Sequence, residues 1–130
     1  MKRFFLVGFL LLLTKFSVAQ KLDKKQWTDF YKEYATYRCL CELTDNKLEQ
    51  YLSNKKDISF SVHSEFLGIY FEKADLIGRN FAKSMQPIQV DKENDLFGMN
   101  TNFKGCLLFY KSKYLDGIAK KSFLEFRKER

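Results

Sequence analysis

Histidine is nearly absent from this 130-residue chain: there is one, His63. A single imidazole excludes His-rich metal sites and most chemistry that needs two histidines in one chain. Proline is equally scarce, with one residue, and there are only six glycines. Collagen-like, Pro-rich and Gly-rich low-complexity chains are excluded by those counts. With 45% hydrophobic residues, the chain has enough apolar material for a core and does not read as disordered. There are three cysteines and no Cys-x-x-Cys. Three Cys and one His at these spacings fit no zinc finger, so neither a metal nor another cofactor is expected. Gly98-Met99 and Gly105-Cys106 lie in no phosphate-cradling or dinucleotide pattern.

The amino terminus is built differently from the rest. Met1-Lys2-Arg3 is basic, Phe4 to Leu13 is apolar throughout, and Ser17-Val18-Ala19 offers a small-x-small cleavage site. This order reads as a secretory signal peptide over residues 1–19. Ten apolar residues rise only about 15 Å as a helix, too little to span hydrocarbon. Nothing after residue 19 is long and apolar enough to do so. The formal charge of +7 includes Lys2, Arg3 and Lys15; without residues 1–19 the chain has 111 residues and a charge of +4. Basic and acidic residues are interspersed until the tail, where Lys120, Lys121, Arg127 and Lys128 suit a helix carboxyl end. Export and mixed charge both oppose a nucleic-acid partner.

Residues 20–130 read as one all-α domain, a small bundle of four to five helices with one disulfide. Asp23 and Gln26 form a capping box for a helix to Leu43. Trp27, Phe30, Tyr31, Tyr34 and Cys41 recur along it at helical spacing, a stripe read as a core face. A short helix is expected over Asp45–Ser53, and a turn over Ser53 to Lys56. A longer helical region over Asp57–Met85 follows, with Asp57 positioned to cap it. Its track is Val62, Phe66, Ile69, Tyr70, Lys73, Ile77 and Phe81, with the Lys73 stem lying along the groove. Gly68 and Gly78 are candidate breaks, and Pro87 ends it. Gln86 to Asn102 is one polar connection. A final helix over about Thr101–Glu125 carries Phe103, Cys106, Leu107, Tyr110, Tyr114 and Ile118, and Gly117 is a candidate bend.

Catalytic groups are few. Cys41 and His63 are a formal nucleophile–base pair, without an oxyanion loop or a nucleophile elbow. Cys41 lies on the apolar stripe, where a thiol is normally inert, and His63 reads as an ordinary residue of a half-exposed helix. Glu65 and Glu72, seven residues apart on the expected long helix, read as solvated charges and interface candidates. Cys39 and Cys41 point about 200° apart on a helix, so only one readily faces Cys106. Periodicity alone selects Cys41.

Three segments together carry a family resemblance. They are Tyr31-Lys32-Glu33-Tyr34-Ala35-Thr36-Tyr37-Arg38-Cys39-Leu40, Asp57-Ile58-Ser59-Phe60-Ser61, and the run from Cys106 to Asp116. In that order they resemble the immunity proteins of type VI secretion amidases, over about Asp29 to Lys121. The sharpest element is Cys-Leu-x-x-Tyr-x-Ser-x-x-Leu-Asp, satisfied by Cys106, Leu107, Tyr110, Ser112, Leu115 and Asp116. The resemblance implies a periplasmic, all-helical homodimer. Such a protein binds a papain-like peptidoglycan amidase, which cuts between D-glutamate and diaminopimelate, and plugs its cleft. It implies an inhibitor and not an enzyme. It also implies a Cys39–Cys106 bridge, with Cys41 left as a buried thiol. The stretch after Phe66 is shorter than the family's middle helices; it is the expected toxin-facing region, with His63, Glu65 and Glu72 as candidate contacts. The alternative is an exported helical protein that binds another periplasmic partner or an apolar ligand.

Overall fold

The computed structural model describes residues 22–129; the expected leader, residues 1–19, lies outside them. Six helices and no strand occur among the described residues: α1 (Lys24–Leu43), α2 (Lys47–Asn54), α3 (Val62–Glu65), α4 (Glu72–Ser84), α5 (Asn102–Phe109) and α6 (Lys113–Lys128). None is long and apolar enough to cross a membrane.

Helix α1 begins where the capping box places it. The Gln26 amide donates to the Asp23 carboxylate at 2.8 Å, and the Gln26 side chain accepts from the Asp23 amide at 3.2 Å. It ends at Thr44, whose hydroxyl donates to the Leu40 carbonyl. Asp45 and Asn46 then adopt left-handed backbone, which Asn and Asp tolerate better than other side chains. From Ala35 to Cys41 every residue of α1 is buried. The helix is the hub of the fold, packed against α2, α4, α5 and α6. A helix enclosed on all sides has no single core stripe.

The expected long helix over Asp57–Met85 does not form as one element. Asp57 closes a local turn instead, its carboxylate accepting from the Ser59 amide at 2.9 Å. One helical turn, α3, is followed by Gly68 at φ +63°, and the chain runs without regular structure to Phe71. Helix α4 starts only at Glu72. This break re-aims the side chains. Ile69, Phe71 and Ala74 are buried, whereas Phe66, Tyr70 and Lys73 face solvent. Small residues four apart, Ala74, Gly78 and Ala82, form the buried face of α4. They let α4 approach α1 so closely that a Cβ on Gly78 would collide with the Ala35 carbonyl oxygen.

The carboxyl-terminal stretch also divides. Turn hydrogen bonds at Lys111 and Ser112 end α5, and the Ser112 hydroxyl caps α6 by accepting from the Leu115 amide at 3.1 Å. Cys106, Phe109, Leu115 and Ala119 are buried, while Phe103, Leu107 and Tyr114 of the expected stripe are exposed. Gly117 lies inside α6. These two breaks account for six helices in place of four or five. Between α4 and α5 the polar connection is as expected, tied across its base by the Ile88 amide donating to the Met99 carbonyl at 3.0 Å.

The disulfide joins Cys39 to Cys106, with Cα atoms 5.7 Å apart, and Cys41 is a buried free thiol. The periodicity argument for Cys41 fails because α1 is enclosed on both sides there. Cys39 and Cys41 are both fully buried, and it is Cys39 that faces α5.

Candidate functional site

The sequence candidates separate in space. His63 is 3% exposed, not half-exposed: its ring sits edge-on to Tyr34 at 4.8 Å and against Phe71 at 4.6 Å. Burial lowers its pKa to about 4, so it is neutral at pH 7. Cys41 has a different neighbour, hydrogen-bonded Tyr37, whose ring stacks on Phe60 at 4.9 Å. Burial raises the Cys41 pKa, with Tyr37 and Arg38 opposing, and so keeps the thiol protonated. A protonated, enclosed thiol is a poor nucleophile. Among the described residues no group of three or more His, Cys, Asp or Glu is placed to hold a metal.

Glu65 and Glu72 are both exposed, but they do not share one helix face as the unbroken helix requires. Glu65 ends α3 and Glu72 begins α4, where its charge complements the helix dipole. Between them stand Phe66 and Tyr70, exposed by 73% and 74%. Around the Gly68 turn this segment exposes two large rings to water between two carboxylates, while Ile69 and Phe71 stay buried. Sequence reasoning placed both rings on one helical track with Val62, Ile69 and Phe81. The Ala74-x3-Gly78-x3-Ala82 stripe was the available signal, because it identifies the buried face of α4 without them.

Two clefts border this segment. One, of about 310 Å³, is lined by Tyr34, Arg38, Glu49, His63, Tyr70 and Asp75, among others. Its floor is an ion network that sequence reasoning missed. Arg38, nearly buried, pairs with Asp75 through Nε and with Glu49 at 2.9 Å. Burial works to lower the Arg38 pKa, but Glu49 and Asp75 outweigh it and hold the guanidinium charged. Asp75 also accepts from Arg79 at 3.0 Å, and Arg79 reaches Glu42 at 2.8 Å and the Asn46 side-chain oxygen at 3.2 Å. The network ties α2 and α4 to α1. Alternating charges in mutual contact make it a clamp, with each charge neutralised by the next.

The second cleft, about 330 Å³, lies between the Gly68–Lys73 segment and α6. Trp27 and Tyr31 line it, with Ser122, Glu125, Phe126 and Glu129 opposite. Trp27 stacks on Phe126 at 4.1 Å and meets Phe71 edge-on at 5.0 Å. Lys73 pairs with Glu125 at 3.1 Å.

The run from Cys106 to Asp116 has a structural role. Cys106 is bridged, Ser112 caps α6 and Leu115 is fully buried. Lys32 of α1 sits over the Tyr110 ring at 4.6 Å and pairs with Asp116 at 3.6 Å. Together these residues lock the α5–α6 corner onto α1. No family model, curated protein or solved structure matches the chain.

Proposed function

We propose that this chain is an exported immunity protein that binds a type VI secretion peptidoglycan amidase in the periplasm and blocks it by plugging its cleft. What carries the reading is the Cys39–Cys106 bridge. It joins the first and the last of the three segments that carry the family resemblance, in the pairing that the resemblance implies. The exposed Glu65–Glu72 segment supports it. Two exposed aromatic rings on a short, backbone-braced segment suit the anchors of a protein interface. The Ile69 amide braces its base by donating to the His63 carbonyl at 2.9 Å. In this reading Glu65 and Glu72 contact the toxin, His63 supports their segment from inside, and the protein acts as a homodimer.

The test is to mix the purified mature protein with the amidase encoded beside it and to express that amidase in the periplasm of sensitive cells. A stable complex, loss of amidase activity and cell survival are expected. Absence of both complex and protection overturns the reading. A second reading, an exported helical protein for another periplasmic partner, is favoured by a different observation. Leu96, Phe97, Met99, Phe103 and Leu107 are all exposed, on the long connection and α5.

A further inference from the structure

The cleft between the Gly68–Lys73 segment and α6 holds a buried group with no use in the fold. The Tyr31 hydroxyl has no hydrogen-bond partner, although Tyr31 is only 1% exposed. A buried hydroxyl left unpaired costs about 1–3 kcal/mol. Tyr31 nevertheless lines this cleft beside Trp27, beneath a mouth that carries Glu72, Glu125 and Glu129 against Lys73 alone. The mouth is therefore acidic on a chain whose charge is positive. Carboxylates at the edge of a low-dielectric recess focus a negative potential into it. Trp27, Phe71 and Phe126 supply apolar wall below.

We propose that this cleft receives a cationic side chain, an arginine or lysine presented by a partner protein. Glu125 with Glu72 or Glu129 neutralises the charge at the mouth and the apolar stem lies against the aromatic wall; the buried Tyr31 oxygen accepts an N–H from the cationic head only as the cleft opens around the incoming side chain. Burial, with the nearby Glu125 and Tyr114, raises the Tyr31 pKa to about 12, so the phenol stays neutral and presents a free lone pair. Lys73 already places an ammonium on Glu125 at this mouth, and its side chain is 75% exposed. It is a resident competitor, displaced as the incoming cation takes its carboxylate. The inference goes beyond the immunity reading and holds whether or not the partner is an amidase.

The test uses the mature chain and Nα-acetyl-arginine amide as probe. Trp27 is the only tryptophan and lies in the cleft, so its fluorescence reports occupancy directly. Amide shifts of residues 68–73 and 122–129 map the position. Saturable binding in about the millimolar range is expected for one side chain, and none for the neutral isostere Nα-acetyl-citrulline amide. Glu125→Gln should weaken binding about fivefold. Lys73→Met should tighten it about two- to fivefold, the worth of an exposed ion pair. Tyr31→Phe should weaken binding without lowering folding stability, because the hydroxyl has no partner to lose. An equal response to the citrulline compound, or a Lys73→Met affinity that is unchanged or weaker, overturns the proposal. Free arginine binding more tightly than an acetylated Gly-Arg-Gly amide would assign a free amino acid as ligand and overturn the partner side chain.

Discussion

Gly78 and His63 show how one residue is judged by what surrounds it. In sequence, Gly78 is a weak point of a helix; in the fold it is the place where α4 meets the Ala35 carbonyl. Gly78→Ala raises helix propensity but forces a methyl into backbone. Chemical denaturation should show a loss of about 1–3 kcal/mol, the scale of core overpacking; a gain would show that α4 stands off from α1. His63 is buried among Tyr34 and Phe71, and its pKa falls to about 4 from an ordinary 6.5. The unfolded chain then binds the extra proton first as pH drops. Stability is fully present above pH 6.5 and declines from there to about pH 4, by up to about 3 kcal/mol. Urea unfolding of wild type and His63→Phe at pH 7 and pH 4.5 isolates this contribution: the substituted protein should lose less on acidification. Equal losses would place the His63 ring in water.

Between elements, the Cys39–Cys106 bridge fastens α5 to α1 across 67 residues of sequence. Closing so long a loop in the unfolded chain is worth about 2–4 kcal/mol. Replacing both cysteines by Ser should lower stability by that amount. Cys41→Ser should leave the bridge intact and cost less, since it replaces a thiol by a hydroxyl of nearly the same shape that can keep the hydrogen bond to Tyr37. Non-reducing peptide mapping distinguishes the cases; a Cys41–Cys106 peptide would contradict the structure. The bridge also shows where periodicity loses its power. It locates a core face only when a helix has one exposed side, and α1 has none from Ala35 to Cys41. The resemblance named the right cysteine because its first segment places the bridging Cys at Arg38-Cys39-Leu40, a match of sequence and not of helix geometry. Of the two helix breaks, the one at Gly68 is among the sequence's candidates and the one at Ser112 is not, and both have a related cause. At Gly68 and at Ser112 local backbone chemistry ends a helix while apolar residues continue at helical spacing on either side.

At the scale of the molecule, the exposed segment from Glu65 to Glu72 is where the proposed function is most directly tested. Phe66→Ala and Tyr70→Ala remove exposed rings, so each should change folding stability by no more than about 0.5 kcal/mol. As hot spots in an amidase cleft, each should weaken the complex by about 2 kcal/mol, near thirtyfold. Isothermal titration with the amidase measures the second effect and thermal unfolding the first. Full affinity in the double variant would move the interface elsewhere, with the exposed residues from Leu96 to Leu107 next in order.

The sequence by itself determined that this is an all-α chain, where its first helix begins, where its long connection lies and which residues of the Cys106–Asp116 run belong together. Those features depend on local chemistry: a capping box, helical spacing, a scarcity of strand signals and a short motif. Only the tertiary structure decided which side chains face water. Enclosure of α1 buried His63, Arg38 and both Cys39 and Cys41, and the Gly68 turn put Phe66 and Tyr70 outside. Burial is a property of what packs against a residue from distant parts of the chain, and spacing along one helix does not contain it.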